Sequence, residues 1–117
     1  MRAPIPRGTI VLVPFPFTDS SSSKVRPALV VSRSDRADRD VMLAFIGTHR
    51  GQPLDLSDLL VPDTHPEFRL TGLKVTSLIR LGRLMTLAVD DVIGKLGTLP
   101  DELLAQADAN LRQALEL

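Results

Sequence analysis

The first half of the chain alternates between apolar runs and polar breaks, and the last twenty residues carry a different period. Residues 8–17 read GTIVLVPFPF, a β-branched and aliphatic run interrupted by Pro14 and Pro16, which predicts a strand that breaks or leaves its sheet at the prolines. The polar stretch Thr18–Lys24 follows, with four consecutive serines and no apolar anchor, and reads as a loop. Residues 27–32, PALVVS, form a short and nearly continuous apolar run, the pattern of a buried strand. Charged residues 33–40 predict a second loop, and Asp40–Thr48 a third strand. A short strand is expected around Leu56–Val61, followed by turn chemistry at Pro62, Pro66 and Gly72. In residues 73–81, Leu73, Val75, Ser77, Ile79 and Leu81 alternate with Lys74, Thr76, Leu78 and Arg80, which predicts a strand; Leu84–Val89 predicts another. Asp90–Gly97 reads as one helical turn closed by glycine.

From about residue 99 to 116 the period becomes helical. Leu103, Leu104, Ala107, Leu111, Ala114 and Leu115 fall on one stripe. Pro100 suits a first helical turn, and Asp101 and Glu102 are favourable at the positive end of the helix dipole. Five or six short strands followed by one helix predict a mainly β fold curled into a small barrel or half-barrel, with the helix closing an open end or covering a sheet face. Neither an internal repeat nor a domain linker is visible in the 117 residues.

Composition narrows the function classes. The chain is 44% hydrophobic and 24% charged, enough for a core and a solvated surface. With four Phe and neither Tyr nor Trp, stacking of bases on aromatic platforms is disfavoured. Without cysteine there is no disulfide framework and no thiolate zinc site; no metal ligand set or cofactor motif is expected. No stretch is long enough to span a bilayer and the N-terminus lacks a signal-peptide apolar core, so a cytoplasmic location is expected. Net charge is zero but unevenly spread. Residues 1–50 hold eight Arg/Lys against four Asp, and residues 51–117 six against ten Asp/Glu, so the halves sit near +4 and −4. This points weakly to an anionic ligand near the first half; ordinary solvated charge is the reading this feature alone favours.

Candidate chemistry begins at Arg26, placed between the serine loop and an apolar strand. It fits either an anion-binding role or a strand-mouth arginine paired with a local Asp. Four stretches then acquire meaning together: GTIVLVPFPF, RPALVVS, VMLAFIGTH and LKVTSLIRLGRLMTL, with VIGKLGTLPDELL as a fifth. In this order and spacing the chain resembles the MazF/PemK family of type II toxin–antitoxin toxins over roughly residues 7–117. The resemblance implies a single toxin-like domain over residues 1–117 with a small SH3-like or CcdB-like barrel. It implies a homodimer and a cognate antitoxin as partner. It also implies metal-independent cleavage of single-stranded RNA, with the ribose 2′-hydroxyl as nucleophile and a 2′,3′-cyclic phosphate and a 5′-hydroxyl as products. The alternative is a barrel of the same family that binds antitoxin, a gyrase-like protein or RNA without cleaving it.

On this resemblance Arg26 matches the arginine of the RPA motif, where a planar guanidinium would hold two non-bridging phosphate oxygens as charge builds. A guanidinium stays charged, so its expected role is electrostatic rather than proton transfer. Thr48 is the second catalytic candidate: Ile46-Gly47-Thr48 stands where the family has Ile-Thr-Ser, and a bulge at Gly47 would restore the register. His49 would supply a base near neutral pH, yet should face away from Thr48 if the strand continues. Lys24 could contact a phosphate neighbouring that of Arg26. Ser77 and Arg80 resemble the family's late Ser and Arg, though Gly82 falls where some members carry Asp, and Arg80 could instead pair with Asp90 or Asp91. Strict alternation sets Ser77 and Arg80 on opposite faces. His65, between Thr64 and Pro66, is expected in an exposed turn.

Overall fold

Strand formation follows from apolar side chains that are needed on both faces of one sheet. The computed structural model describes residues 4–14, 24–33 and 39–117. Among the described residues there are six strands: β1 (Thr9–Pro14), β2 (Val25–Val30), β3 (Asp40–Thr48), β4 (Asp58–Val61), β5 (Ser77–Ala88) and β6 (Gly94–Thr98). They form one antiparallel sheet in the order β4-β5-β3-β2-β1-β6, curved into a half-barrel, and the helix α1 (Asp101–Leu115) follows. The serine stretch 18–23 and residues 34–38 lie outside the described residues.

The core has two parts, and the period of two decides which residue joins which. Ile10, Leu29, Ala44 and Ile46 pack with Leu59, Val61, Ile79, Leu81 and the helix residue Ala107. Their neighbours in sequence, Val11, Val13, Ala28, Val30, Val41 and Leu43, pack on the opposite face with Val92. Both faces of the central strands are thus buried, which is why their sequences read as continuous apolar runs rather than as clean alternation. Each fully buried Leu, Ile or Val contributes about 1.5–3 kcal/mol relative to exposure.

The helix starts at Asp101 with Pro100 as its N-cap residue and acidic side chains in its first turn. Leu103, Leu104 and Leu111 pack against the first core, whereas Leu115 is exposed, so the apolar stripe predicted to residue 115 stops burying surface one turn early. Polar contacts fix the helix against the sheet. Arg7 Nη2 pairs with Asp108 Oδ1 at 2.5 Å while its Nε donates to the Val31 carbonyl at 2.9 Å. Asn110 Nδ2 donates to the Asp58 carbonyl at 3.1 Å. His65, expected in an exposed turn, is instead half-buried, and its Nε2 meets Glu102 Oε1 at 2.5 Å.

Three elements depart from expectation. The predicted strands 73–81 and 84–89 join into one strand, β5, which begins only at Ser77, residues 73–76 being loop, and it carries three extra residues opposite the Ala44–Phe45 step: Phe45 faces Arg80 whereas Ala44 faces Leu84. Gly82 lies in that bulge, where a strand must bend. The expected helical turn at 90–97 shrinks to the 3₁₀ turn Val89–Asp91, and Gly94–Thr98 becomes the edge strand β6. The half-barrel closes where the 3₁₀ turn Phe68–Thr71 leans on β6. Gly72 there has φ +73°, and a side chain at either Gly72 or Gly97 would come closer than 3.0 Å to backbone atoms of the other segment.

Candidate functional site

The ladder between β2 and β3 ends at Ala28↔Phe45. A groove of about 860 Å³ lies beyond it, bordered by β2, the end of β3, the β5 bulge and the segment before β5. That volume is in the range of sites that hold a ligand of several ring units. Four consecutive β3 residues, Phe45 to Thr48, border it. The groove therefore wraps around the strand end instead of following one face. That explains how side chains of opposite parity reach the same space.

Arg26 is the second residue of β2 and is paired in the ladder with Val13 of β1. Its exposed side chain leaves from a rigid strand rather than from the preceding loop. Continuing the β2–β3 register two residues past its end would set Arg26 opposite Gly47, next to Thr48. Thr48 is exposed and is the last residue of β3. No bulge occurs at Gly47: Phe45 to Thr48 pair without interruption with Arg80 to Ser77, and the irregularity lies one step earlier. A turn follows in which Gln52 Oε1 accepts the Arg50 N–H at 2.6 Å and Gln52 Nε2 donates to the Thr48 carbonyl at 3.4 Å. Gly51 at φ +83° makes this turn possible, and it brings Arg50 to the groove beside Thr48.

Ser77 and Arg80 both border the groove, but in different ways. Ser77 is 4% exposed, and its hydroxyl donates to the Val75 carbonyl at 2.7 Å. The Arg80 side chain is 39% exposed, and its Nε stands 3.3 Å from Asp58 Oδ1. The partner of Arg80 is thus Asp58, from β4, and not Asp90 or Asp91; Asp90 pairs with Arg39 at 3.6 Å. His49 and Lys24 are not among the residues bordering the groove. The His49 N–H donates to Thr76 O at 3.0 Å, which prolongs the β3–β5 ladder by one residue. Lys24 is exposed just ahead of β2.

Sequence reasoning missed three of the groove's five cations. Arg50, Lys74 and Arg83 join Arg26 and Arg80 around it, and none of the described residues bordering it is Asp or Glu. The signal was present in the Arg80-Leu-Gly-Arg83 spacing, but only the bulge turns both arginines to one space. The half-by-half charge count misleads here, because three of the five cations come from the net-acidic second half. Five cations around one concavity create a positive field that low-dielectric walls focus. Behind it, Ser57 donates its hydroxyl to Asp55 Oδ2 at 2.7 Å, which lowers the Asp55 pKa below the ordinary carboxylate value, with the Arg80 charge adding a smaller effect. Among the described residues no group of three or more His, Cys, Asp or Glu side chains is placed to hold a metal ion, and no helix is long and apolar enough to cross a membrane.

This architecture has relatives among solved structures. An endoribonuclease in complex with its cognate antitoxin from a mycobacterial species superposes with a TM-score of 0.74 at 19% identity, over 97% of this chain and 96% of that one. MazF from Deinococcus radiodurans gives 0.73 at 17% identity over 99% and 100% of the two chains. The Mycobacterium tuberculosis toxin MazF-mt6 gives 0.70 at 20% identity over 93% and 97%. At these identities the similarity establishes the fold. A search of curated proteins finds no match. The sequence profile of the PemK-like, MazF-like toxins of type II toxin–antitoxin systems matches residues 6–115, nearly the whole length, and the chain belongs to that family.

Proposed function

We propose that this protein is an endoribonuclease that cleaves single-stranded RNA in the groove, as a cytoplasmic toxin held in check by a cognate antitoxin. The observation that supports this most is the groove itself: five basic residues, Arg26 among them, and no acidic one among the described residues border a space that Thr48 borders too. A polyanion is the ligand such a surface suits, and a flexible single strand can follow its bend around the end of β3.

The reaction is an in-line displacement at phosphorus. The ribose 2′-hydroxyl loses its proton and its oxygen bonds to phosphorus, while the bond from phosphorus to the 5′ oxygen breaks and that oxygen gains a proton. The products are a 2′,3′-cyclic phosphate and a 5′-hydroxyl. Negative charge grows on the non-bridging oxygens at the crowded stage. Arg26, fixed on its strand, meets two of them with its planar fork, and Thr48 adds a hydroxyl hydrogen bond. Arg50, Lys74, Arg80 and Arg83 bind flanking phosphates. Since the substrate supplies the nucleophile and guanidinium groups meet the charge, the rate is expected to be unchanged by EDTA.

If all five cations meet phosphates, log K for RNA binding falls against log salt with a slope of about −3.5, and Lys74→Ala or Arg83→Ala each flatten it by about 0.7. Fluorescence anisotropy with an uncleavable 2′-deoxy oligonucleotide measures this. A slope near zero contradicts phosphate binding in the groove. The same field suits an acidic segment of an antitoxin. A homodimer is expected to use exposed apolar side chains such as Leu54 and Leu56, and solution mass at micromolar concentration tests it.

A further inference from the structure

Asp58 carries a carboxylate that the chemistry above leaves without a role, and it stands directly behind one of the groove's guanidinium groups. Asp58 and Arg80 face each other across the β4–β5 ladder, with Arg80 Nε 3.3 Å from Asp58 Oδ1. The Asp58 side chain is 5% exposed and does not border the groove, whereas Arg80 does. A carboxylate buried to this degree is costly unless its oxygens are occupied. Here Oδ2 accepts the Asp55 N–H at 2.9 Å, and Oδ1 faces the Arg80 charge.

The backbone of Asp58 is fixed as well. Its N–H donates to the Asp55 carbonyl at 3.1 Å, and its carbonyl accepts Asn110 Nδ2 from the helix at 3.1 Å. Asn110 is itself buried and receives Gln106 Nε2 at 2.9 Å. Ser57 packs into the β5 bulge, where a side chain at Gly82 would meet its Oγ at 3.1 Å. Asp58 is therefore the immobile member of the pair, and Arg80 takes its position from it. The contact is made through the inner nitrogen: Nε is buried and makes no hydrogen bond among the described residues, so charge and not hydrogen-bond alignment holds it. A buried ion pair of this kind adds little net stability compared with apolar residues of the same volume. Orientation is what it adds.

We propose that Asp58 is a positioning residue, which holds the Arg80 guanidinium at a fixed place on the groove wall so that it meets an RNA phosphate already ordered. This rests on the nuclease reading. Orienting a charged group in advance removes an entropic cost from the chemical step, and a displacement of about 1 Å in such a group can cost about 10²-fold in rate.

The test is steady-state cleavage of an oligoribonucleotide taken from sites that the wild-type protein cuts, with Asp58→Asn, Arg80→Ala, Arg80→Lys and the double variant Asp58→Asn/Arg80→Ala. Asp58→Asn is expected to lower kcat by about 10–100-fold. KM should stay constant or fall, because removing a negative charge beside the groove strengthens its attraction for RNA. The double variant should be no slower than Arg80→Ala alone. Wild-type kcat in Asp58→Asn, or losses that multiply in the double variant, would overturn the proposal. Should Asp58→Asn not fold, Arg80→Lys decides: it keeps the charge but lacks the nitrogen that Asp58 holds, and should lose as much kcat as Arg80→Ala. Retention of wild-type kcat in Arg80→Lys overturns it. A wild-type protein that cuts no RNA defeats the nuclease reading and this inference together, whereas wild-type cleavage with Asp58→Asn unaffected defeats this inference alone.

Discussion

Substituting Arg26 by alanine lowers RNA cleavage by about 10²–10³-fold, the loss typical of removing one preorganised charge stabiliser, and leaves the melting temperature almost unchanged. The two halves of this expectation come from different features. Arg26 lies on β2 and is paired to Val13 of β1, two residues past the end of the β2–β3 ladder, so its guanidinium is carried by a hydrogen-bonded strand that opens onto the groove. Its side chain is exposed, and a substitution on the surface typically changes stability by about 0.5 kcal/mol or less. Arg26→Lys should recover little, because an ammonium supplies charge without the two-pronged geometry. Single-turnover cleavage and a thermal melt on the same preparations check both. A variant that cleaves within about threefold of wild type would remove Arg26 from the site, given the magnitude expected of such a group.

The second large effect concerns the fold. Gly97→Ala is expected to destabilise the protein by about 3 kcal/mol, the upper part of the range for overpacking. The new methyl would lie closer than 3.0 Å to the Thr71 carbonyl group and the Leu70 carbonyl oxygen. These are backbone atoms, which cannot rotate away as a side-chain tip can. Thr71 is also tied down: its hydroxyl donates to the Phe68 carbonyl at 2.7 Å and accepts the Leu73 N–H at 3.0 Å. The strain therefore falls on the seam that closes the half-barrel. A drop of about 10 °C in melting temperature corresponds to that energy in a domain of this size. Because Gly72, Leu73 and Leu96 border the groove, cleavage should weaken as well. A melt within about 2 °C of wild type would show that the seam gives way easily.

Much of this architecture could be read from local pattern, and the failures have identifiable causes. β1, β2 and β3 were legible because apolar runs of that length between polar breaks have few other uses, and α1 because Pro100, Asp101 and Glu102 open a stripe of period 3.6. The β5 bulge was not legible. Residues 81–83 include one glycine, which marks a strand end and a bulge equally well, and only pairing with β3 tells them apart. β6 was misread for a similar reason: Gly94 and Gly97 look like helix stops, yet Gly97 is there because another backbone passes against it. In the groove, Arg26, Thr48, Ser77 and Arg80 could be named in advance on a family resemblance, and all four border it. Arg50, Lys74 and Arg83 could not, since their convergence depends on the Gln52 turn and the bulge. Asp58 was invisible because its partner lies 22 positions along the chain and is met only through the β4–β5 register.

The claim at the centre of this account is that the groove promotes attack by a ribose oxygen on its own phosphodiester. The chemistry of the new RNA ends tests it most directly. Purified protein is incubated with single-stranded RNA in EDTA, and the fragments are assayed with polynucleotide kinase and by mass. The account predicts 5′ ends that accept phosphate without prior phosphatase treatment and 3′ fragments' upstream partners ending in a 2′,3′-cyclic phosphate. Fragments with 5′-phosphate and free 3′-hydroxyl ends, or RNA that binds tightly and is recovered intact, would contradict it.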